Sequence, residues 1–331
     1  MTASPGIRPR TPEEMDHAGS ALNRAAAQTL QADPFSCRTE WGFSYHELQG
    51  NRRRLHLVEG EHGFVALAEV PRGDGVRVFE PVESLWHFGC PLLGTEPVAV
   101  LAEFLAPLEE KGTPFGLLLS GLVASSPLVR ELGREFAARL DLVRHRRVVL
   151  QSASLEGGMD GWLGRRSGHF RRRLRATLRR AAELGIEFER RVPRTAAEAA
   201  AVYERMLAVE RKSWKGIGEC GMAEGWSSPF YGTMLRRLAA AGDGRVVFAR
   251  AQGQDIGFVF GGMAGGHYRG QQFSYAEDWS RHSVGNLLQH EQLHWLCEEG
   301  ALRYDMGPWM EYKTHWTEVE QVVETRVLRT P

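Results

Sequence analysis

Hydrophobic and polar positions change period several times along the chain, and each change marks an element. Up to about residue 33 the sequence is rich in Pro, Ala and Arg, with an Ala-rich stretch at Leu22 to Leu30, which predicts a loose arm with room for one helix. LHLVEG from Leu55 and GFVALAEV from Gly63 are two β-rich runs joined by a charged, glycine-containing turn, a hairpin signal, and VRVF follows as a further strand. Pro97 to Lys111 has helical apolar spacing and stops at Gly112, with Pro107 predicting a kink inside it. FGLLL from Phe115 reads as a buried strand, Pro127 to Leu140 as a helix with Ser126 as its N-cap, and LVRHRRVVL as a closing strand.

The second half opens with an Arg-dense helix from about Trp162 to Leu184, stopped by Gly185, and the strand IEFERRV. Ala196 to Trp214 and Pro229 to Ala241 are helical. RVVFARA, IGFVFGGM and HYRGQQFSY form a three-stranded meander. Val284 to Glu299 is a helix stopped by Gly300, LRYDM a strand, Met310 to Trp316 a short helix and VVETRVL a last strand. GFVALA at Gly63 recurs as GFVFGG at Gly257, and LEEKG ending at Gly112 recurs as LCEEG ending at Gly300, each glycine leading into an apolar strand. The repetition predicts a duplicated mixed α/β fold: an arm over 1–33, one domain over 34–152 and a second over 153–331.

Composition agrees with a folded, globular protein: 331 residues, 43% hydrophobic and 25% charged. Lys+Arg 41 against Asp+Glu 41 removes any global electrostatic case for DNA or membrane-surface binding and leaves local patches. Cys37, Cys90, Cys220 and Cys297 are far apart with no CxxC, which predicts a reducing, cytoplasmic setting. The start has no apolar signal-peptide core, and no apolar run suffices for a transmembrane helix.

Five stretches carry candidate chemistry. His290-Glu291-Gln292-Leu293-His294 matches the zinc motif HExxH, yet its nearest further carboxylates, Glu298 and Glu299, lie on the same helix, so no metal is expected. Gly216 to Gly221 fits GxGxxG but follows a helix instead of a strand, which makes it a glycine-rich loop. Arg165 to Arg180 holds eight arginines and no acid, with Phe170, Leu174, Leu178 and Ala181 on one side. Such a helix is either a solvated surface element or a dock for coenzyme A, an acyl carrier protein, tRNA or an anionic membrane surface. Ser283-Val284-Gly285 opens a helix after a strand and an acidic turn, so its backbone N–H groups face a place suited to pyrophosphate. Tyr312 and Lys313 follow a strand; a phenol can protonate a leaving thiolate and an ammonium can stabilise an oxyanion.

Taken in order, the Arg-rich helix, Glu210 to Gly216 (ERKSWKG), Ser283-Val284-Gly285, Tyr304-Asp305-Met306-Gly307, and Tyr312-Lys313 followed by Trp316 resemble the GNAT acyltransferase superfamily. The likeness is closer to its CelD-like and FemAB-like branch. It covers about residues 160 to 320. The first half is similar to that branch's degenerate N-terminal unit in layout and in LWHFGCPLLG. The resemblance implies two tandem GNAT folds, each a mostly antiparallel sheet flanked by helices, with the C-terminal one catalytic.

It further implies transfer of an acyl group from a thioester of coenzyme A or acyl carrier protein to the amine of a small molecule or peptide. Gln271, Gln272, Phe273, Arg281, Ser283, Val284, Gly285 and Asn286 would hold the carrier, with a backbone N–H near Gln271 to Phe273 meeting the oxyanion. Trp214, Lys215, Trp226, Tyr275 and Trp309 would face the acceptor. Glu277 or Asp278, then Glu210, are the implied bases, Tyr312 the acid and Lys313 a cation beside it. The branch often has Ser-Pro-Gly where this chain has Ser283-Val284-Gly285, and simple GNAT enzymes have glycine in place of Ser283, so the carrier stays open. Two rival readings are an aminoacyl-tRNA-dependent, peptide-bond-forming transferase and a non-catalytic binding module.

Overall fold

The β-branched and aromatic runs fold as strands, and the runs of 3.6-residue period fold as helices that bury one stripe against them. The computed structural model describes residues 12–29 and 32–331, which divide into two units. The first contains residues up to Gly42, Asn51–His145 and Thr325–Pro331; the second contains Phe43–Gly50 and Arg146–Glu324. The passage from one to the other falls at 145/146, inside a strand.

In the first unit, helix α1 (Pro12–Gln28) buries Ala18, Ala21, Leu22 and Ala26, and Asn23 Oδ1 accepts from the Thr39 backbone N–H at 2.9 Å. This is the one helix for which the sequence of the arm leaves room, its small side chains forming an apolar stripe; residues 1–11, 30 and 31 lie outside the described residues. Helix α2 (Thr39–Gln49) begins in this unit and ends in the second. Strands β1 (Arg54–Glu59) and β2 (Gly63–Val70) form the hairpin, and β3 (Arg77–Pro81) pairs antiparallel with β2, as does the short β4 (Leu92–Gly94). Helix α3 (Pro97–Glu110) runs through Pro107, flanked by buried Leu105 and Leu108, and Gly112 at φ +60° ends the segment. Strand β5 (Phe115–Val123) then returns parallel to β3. Helix α4 (Pro127–Phe136) is capped by Ser126, whose side chain accepts from Val129 N, and β6 (Asp141–Ser154) follows.

In the second unit the expected Arg-dense helix is two helices, α5 (Gly158–Gly164) and α6 (Gly168–Glu183). The chain breaks between them because Arg166 turns inward to pair with Glu318, and Ser167 restarts the helix by accepting from Phe170 N at 3.2 Å. After β7 (Glu187–Arg191), helix α7 (Ala196–Glu210) also ends earlier than its periodicity predicts, since Ser213 caps a separate turn, α8 (Trp214–Ile217). Helix α9 (Ser227–Ala241) leads into the meander β8 (Gly244–Ala251), β9 (Gln254–Ala264) and β10 (His267–Tyr275). A 3₁₀ turn at Glu277–His282 precedes α10 (Val284–Glu298). Strand β11 (Arg303–Pro308) lies parallel to β10 and antiparallel to β6; a 3₁₀ turn at Glu311–His315 and strand β12 (Val319–Arg329) complete the chain.

The core of this unit fixes the turn that carries Tyr312 and Lys313. Trp162 is fully buried, stacks on Trp316 at 5.6 Å between ring centroids and donates its indole N–H to Trp316 O at 3.1 Å, while Phe170 meets Trp316 edge-on. Truncating such a residue typically costs about 3–5 kcal/mol.

Candidate active site

Strands β10 and β11 pair through His267↔Arg303, Tyr268↔Tyr304 and Arg269↔Asp305, and then part. The register of β10 against β9 also shifts between Gly270 and Gln272, so the chain is kinked where the two strands separate. The last pair is itself an ion pair: Arg269 Nη1 lies 2.6 Å from Asp305 Oδ2, both side chains are buried, and Asp305 Oδ1 accepts from Gly307 N at 2.7 Å. A cavity of about 380 Å³ opens in the gap. Gly270 and Tyr304 form its floor, where a Cβ at Gly270 would sit 2.9 Å from Tyr304 Cε2, and Tyr304 is held by its hydroxyl donating to Gln289 at 2.6 Å.

One wall comes from α8 and β10. Lys215 Nζ donates to Phe273 O at 2.8 Å and to Gln272 Oε1 at 3.3 Å, with Glu210 Oε1 at 3.8 Å, and Gln272 Nε2 donates to Tyr231 Oη at 2.7 Å. Burial lowers the Lys215 pKa, an effect the Glu210 carboxylate opposes; burial also raises Tyr231 to about 12. Glu210 is fully buried. Its Oε1 accepts from Met222 N at 2.8 Å, whereas its Oε2 is buried without a hydrogen-bond partner. A Cβ at Gly221 would run into Glu210 Oε1, which explains why the GxGxxG loop is glycine-rich: it wraps a carboxylate, not a phosphate. Gln271 Nε2 and Ser274 Oγ on β10 are also buried and unpartnered.

The opposite wall is the turn after β11. Tyr312 is 38% exposed, and the shielding of the rest of its side chain raises its pKa from 10 to about 12; at either value it keeps its proton at neutral pH. Lys313 donates to Pro308 O at 2.7 Å and is lowered to about 8, first by burial and then by the nearby Arg269 charge, against the pull of Asp305. Tyr312 also lines a second cavity of about 360 Å³, shared with Phe170, Arg173 and Thr177 of α6 and Asn286 of α10.

The geometry therefore brings Trp214, Lys215, Gln271, Gln272, Phe273, Tyr275, Tyr312 and Lys313 around one cavity, with Glu210 behind Lys215. Ser283 takes a left-handed backbone, φ +57°, at the N-terminus of α10; Val284 is buried, and Gly285 lies against the Tyr275 and Phe273 rings. Glu277, Asp278 and Arg281 are exposed on the preceding 3₁₀ turn, and Trp226 and Trp309 are exposed; none of the five lines the cavity. Sequence reasoning missed Tyr231, Gln289 and the Arg269–Asp305 pair. In HEQLH, Glu291 and His294 are engaged by Arg190, and among the described residues no group of three or more His, Cys, Asp or Glu is placed to hold a metal.

A family model described as "Acetyltransferase (GNAT) domain" matches residues 168–314. Several solved structures share the fold over nearly the whole chain. FemX has a TM-score of 0.66 at 10% identity, covering 92% of this chain and 95% of its own. L-PGS from Bacillus licheniformis has 0.59 at 15% identity, covering 99% and 94%. A conserved protein of unknown function from Bacteroides thetaiotaomicron has 0.60 at 12% identity, covering 98% and 99%. No curated protein matches the sequence significantly.

Proposed function

We propose that this chain, whose residues 168–314 match a GNAT acetyltransferase domain and which shares its fold with FemX, is an N-acyltransferase carrying an acyl group from a thioester to the amine of a small molecule or peptide. The observation that carries this reading is the parting of β10 from β11 over a cavity with an acidic–basic pair on one side and a protonated phenol on the other. The thioester arm enters between the strands and the amine approaches from the Trp214–Lys215 side. The amine lone pair attacks the carbonyl carbon, the C–N bond forms and the carbonyl pair moves to oxygen, which backbone N–H groups of β10 and the Lys313 ammonium stabilise. Collapse breaks the C–S bond, Tyr312 gives its proton to the leaving sulfur, and the proton of the new ammonium passes to Glu210, directly or through water. Ser283 to Asn286, at the positive end of α10, would meet the carrier's phosphate. Glu210 takes the base role in place of Glu277 and Asp278, because its free Oε2 lies behind the acceptor wall whereas they are exposed away from the cavity.

The test is thermal stabilisation by acyl-CoAs, an acyl carrier protein thioester and aminoacyl-tRNA, followed by turnover of whichever donor binds. A thioester is expected to raise the melting temperature, and Glu210→Gln and Tyr312→Phe are each expected to lower kcat by about a hundredfold or more. Stabilisation by aminoacyl-tRNA alone would replace the thioester with an ester donor, and unchanged rates in both variants would remove the assigned acid and base.

A further inference from the structure

Helix α6 exposes Arg171, Arg172, Arg173, Arg175, Arg179 and Arg180, and none of the six pairs with a carboxylate among the described residues. The arginines just before it behave differently, since Arg165 and Arg166 both reach Glu318. Like charges one turn apart, such as Arg171 with Arg175 and Arg175 with Arg179, each cost a few tenths of a kcal/mol in a helix, roughly 0.2–0.5. Six unpaired guanidinium groups on a helix roughly 24 Å long are therefore a destabilising arrangement that a bound anion would relieve.

Number and distribution limit what that anion is. A single nucleotide cofactor offers too few phosphates to engage the row. Taking these six from 41 basic residues leaves 35 against 41 acidic ones, so the rest of the chain is acidic. A folded nucleic acid, with phosphates on every side, would meet that acidic remainder as well as α6. A small acidic protein that presents one face to one helix would not. At the same helix Phe170, Arg173 and Thr177 line the second cavity, and Tyr312 lines both that cavity and the one between β10 and β11.

We propose that α6 docks a small acidic carrier protein, which delivers the acyl thioester on a flexible prosthetic arm past Phe170 and Tyr312 to the gap between β10 and β11. This rests on the acyl-transfer reading and adds no chemical step to it. The contact is one of exposed charge, so it is salt-sensitive and belongs to association more than to turnover.

The experiment titrates fluorescently labelled octanoyl acyl carrier protein with the full-length chain, read by anisotropy, beside the melting-temperature shift given by octanoyl-CoA. The wild type is expected to bind the carrier, with affinity falling about tenfold between about 50 and 200 mM NaCl. The charge reversal Arg172→Glu, Arg175→Glu, Arg179→Glu should weaken binding by about tenfold or more while keeping the octanoyl-CoA shift, and the corresponding Arg→Gln triple should fall between. Absence of carrier binding, binding indifferent to the reversal, or displacement of the carrier by a lower concentration of bulk tRNA overturns the dock. If the carrier binds through α6 but neither octanoyl-CoA nor the octanoyl carrier supports turnover with any amine, the acyl-transfer reading fails and α6 remains a carrier-binding surface. With the opposite pattern the dock alone fails.

Discussion

Lys313 is a cation placed where water is scarce, and this makes its stability cost depend on pH. Its pKa falls from the ordinary 10.5 to about 8, chiefly through burial. Below about pH 8 the side chain is charged in the folded and the unfolded chain alike, and the folded state bears the whole cost of burying it. Between pH 8 and 10.5 the folded chain releases the proton and the unfolded chain keeps it, so stability rises with pH across that window, by at most roughly 3 kcal/mol. Lys313→Met keeps the packing, loses the hydrogen bond to Pro308 O, and removes the titration. Urea midpoints of the two proteins, measured from pH 7 to pH 10.5, should show the difference between them moving in favour of the wild type as pH rises. A difference that stays constant would mean that Lys313 does not titrate there. The Tyr312-Lys313 pair was legible because both are polar side chains next to a strand end. Glu210 and Lys215 were singled out separately through the family resemblance: their meeting at 3.8 Å, and the burial of Glu210 beneath the glycine loop, depend on a fold that brings α7, α8 and β10 together.

At the scale of elements, the positions that sequence reads well are those with a local cause. Ser126 before Pro127 announces a helix start, and Gly112 and Gly300, at φ +60° and +72°, end theirs because only glycine takes that backbone freely. The start of α6 was not legible. Arg165, Arg166 and Ser167 continue the polar face of an apparently unbroken helix, and the break depends on a distant partner, Glu318. The parallel register of β10 with β11, which creates the cavity, is long-range in the same way. The cap at Ser167 gives this difference a measurable form. Ser167→Ala should cost about 1 kcal/mol of unfolding free energy, and Ser167→Asp should recover most of it. Equal stability of Ser167→Ala and the wild type in urea would show that α5 and α6 behave as one helix in solution.

Each unit of the whole molecule repeats one plan: an antiparallel meander, a glycine-ended helix, and a strand that returns parallel to the meander's last strand. In the first unit these are β1–β3, α3 and β5, with Arg77↔Phe115 to Phe79↔Leu117 in register; in the second, β8–β10, α10 and β11. The paired GFV and glycine-ended segments carried this duplication in the sequence, whereas no local signal there marks that each unit is built from separated segments. Residues 325–331 belong to the first unit, where Thr330 N donates to Phe115 O at 3.1 Å and Arg329 meets Asp141. A fragment ending at residue 145 therefore lacks the segment that satisfies the Phe115 carbonyl, on a strand whose Phe115, Leu117 and Leu119 are buried. An apolar strand with one edge left open in this way promotes association over folding. Residues 1–145 alone are expected to show no cooperative thermal transition by circular dichroism. The same fragment extended by about ten Gly/Ser residues and then by residues 325–331 should regain one. Cooperative melting of the bare fragment at the temperature of the extended one would show that the first unit closes without the chain's last residues.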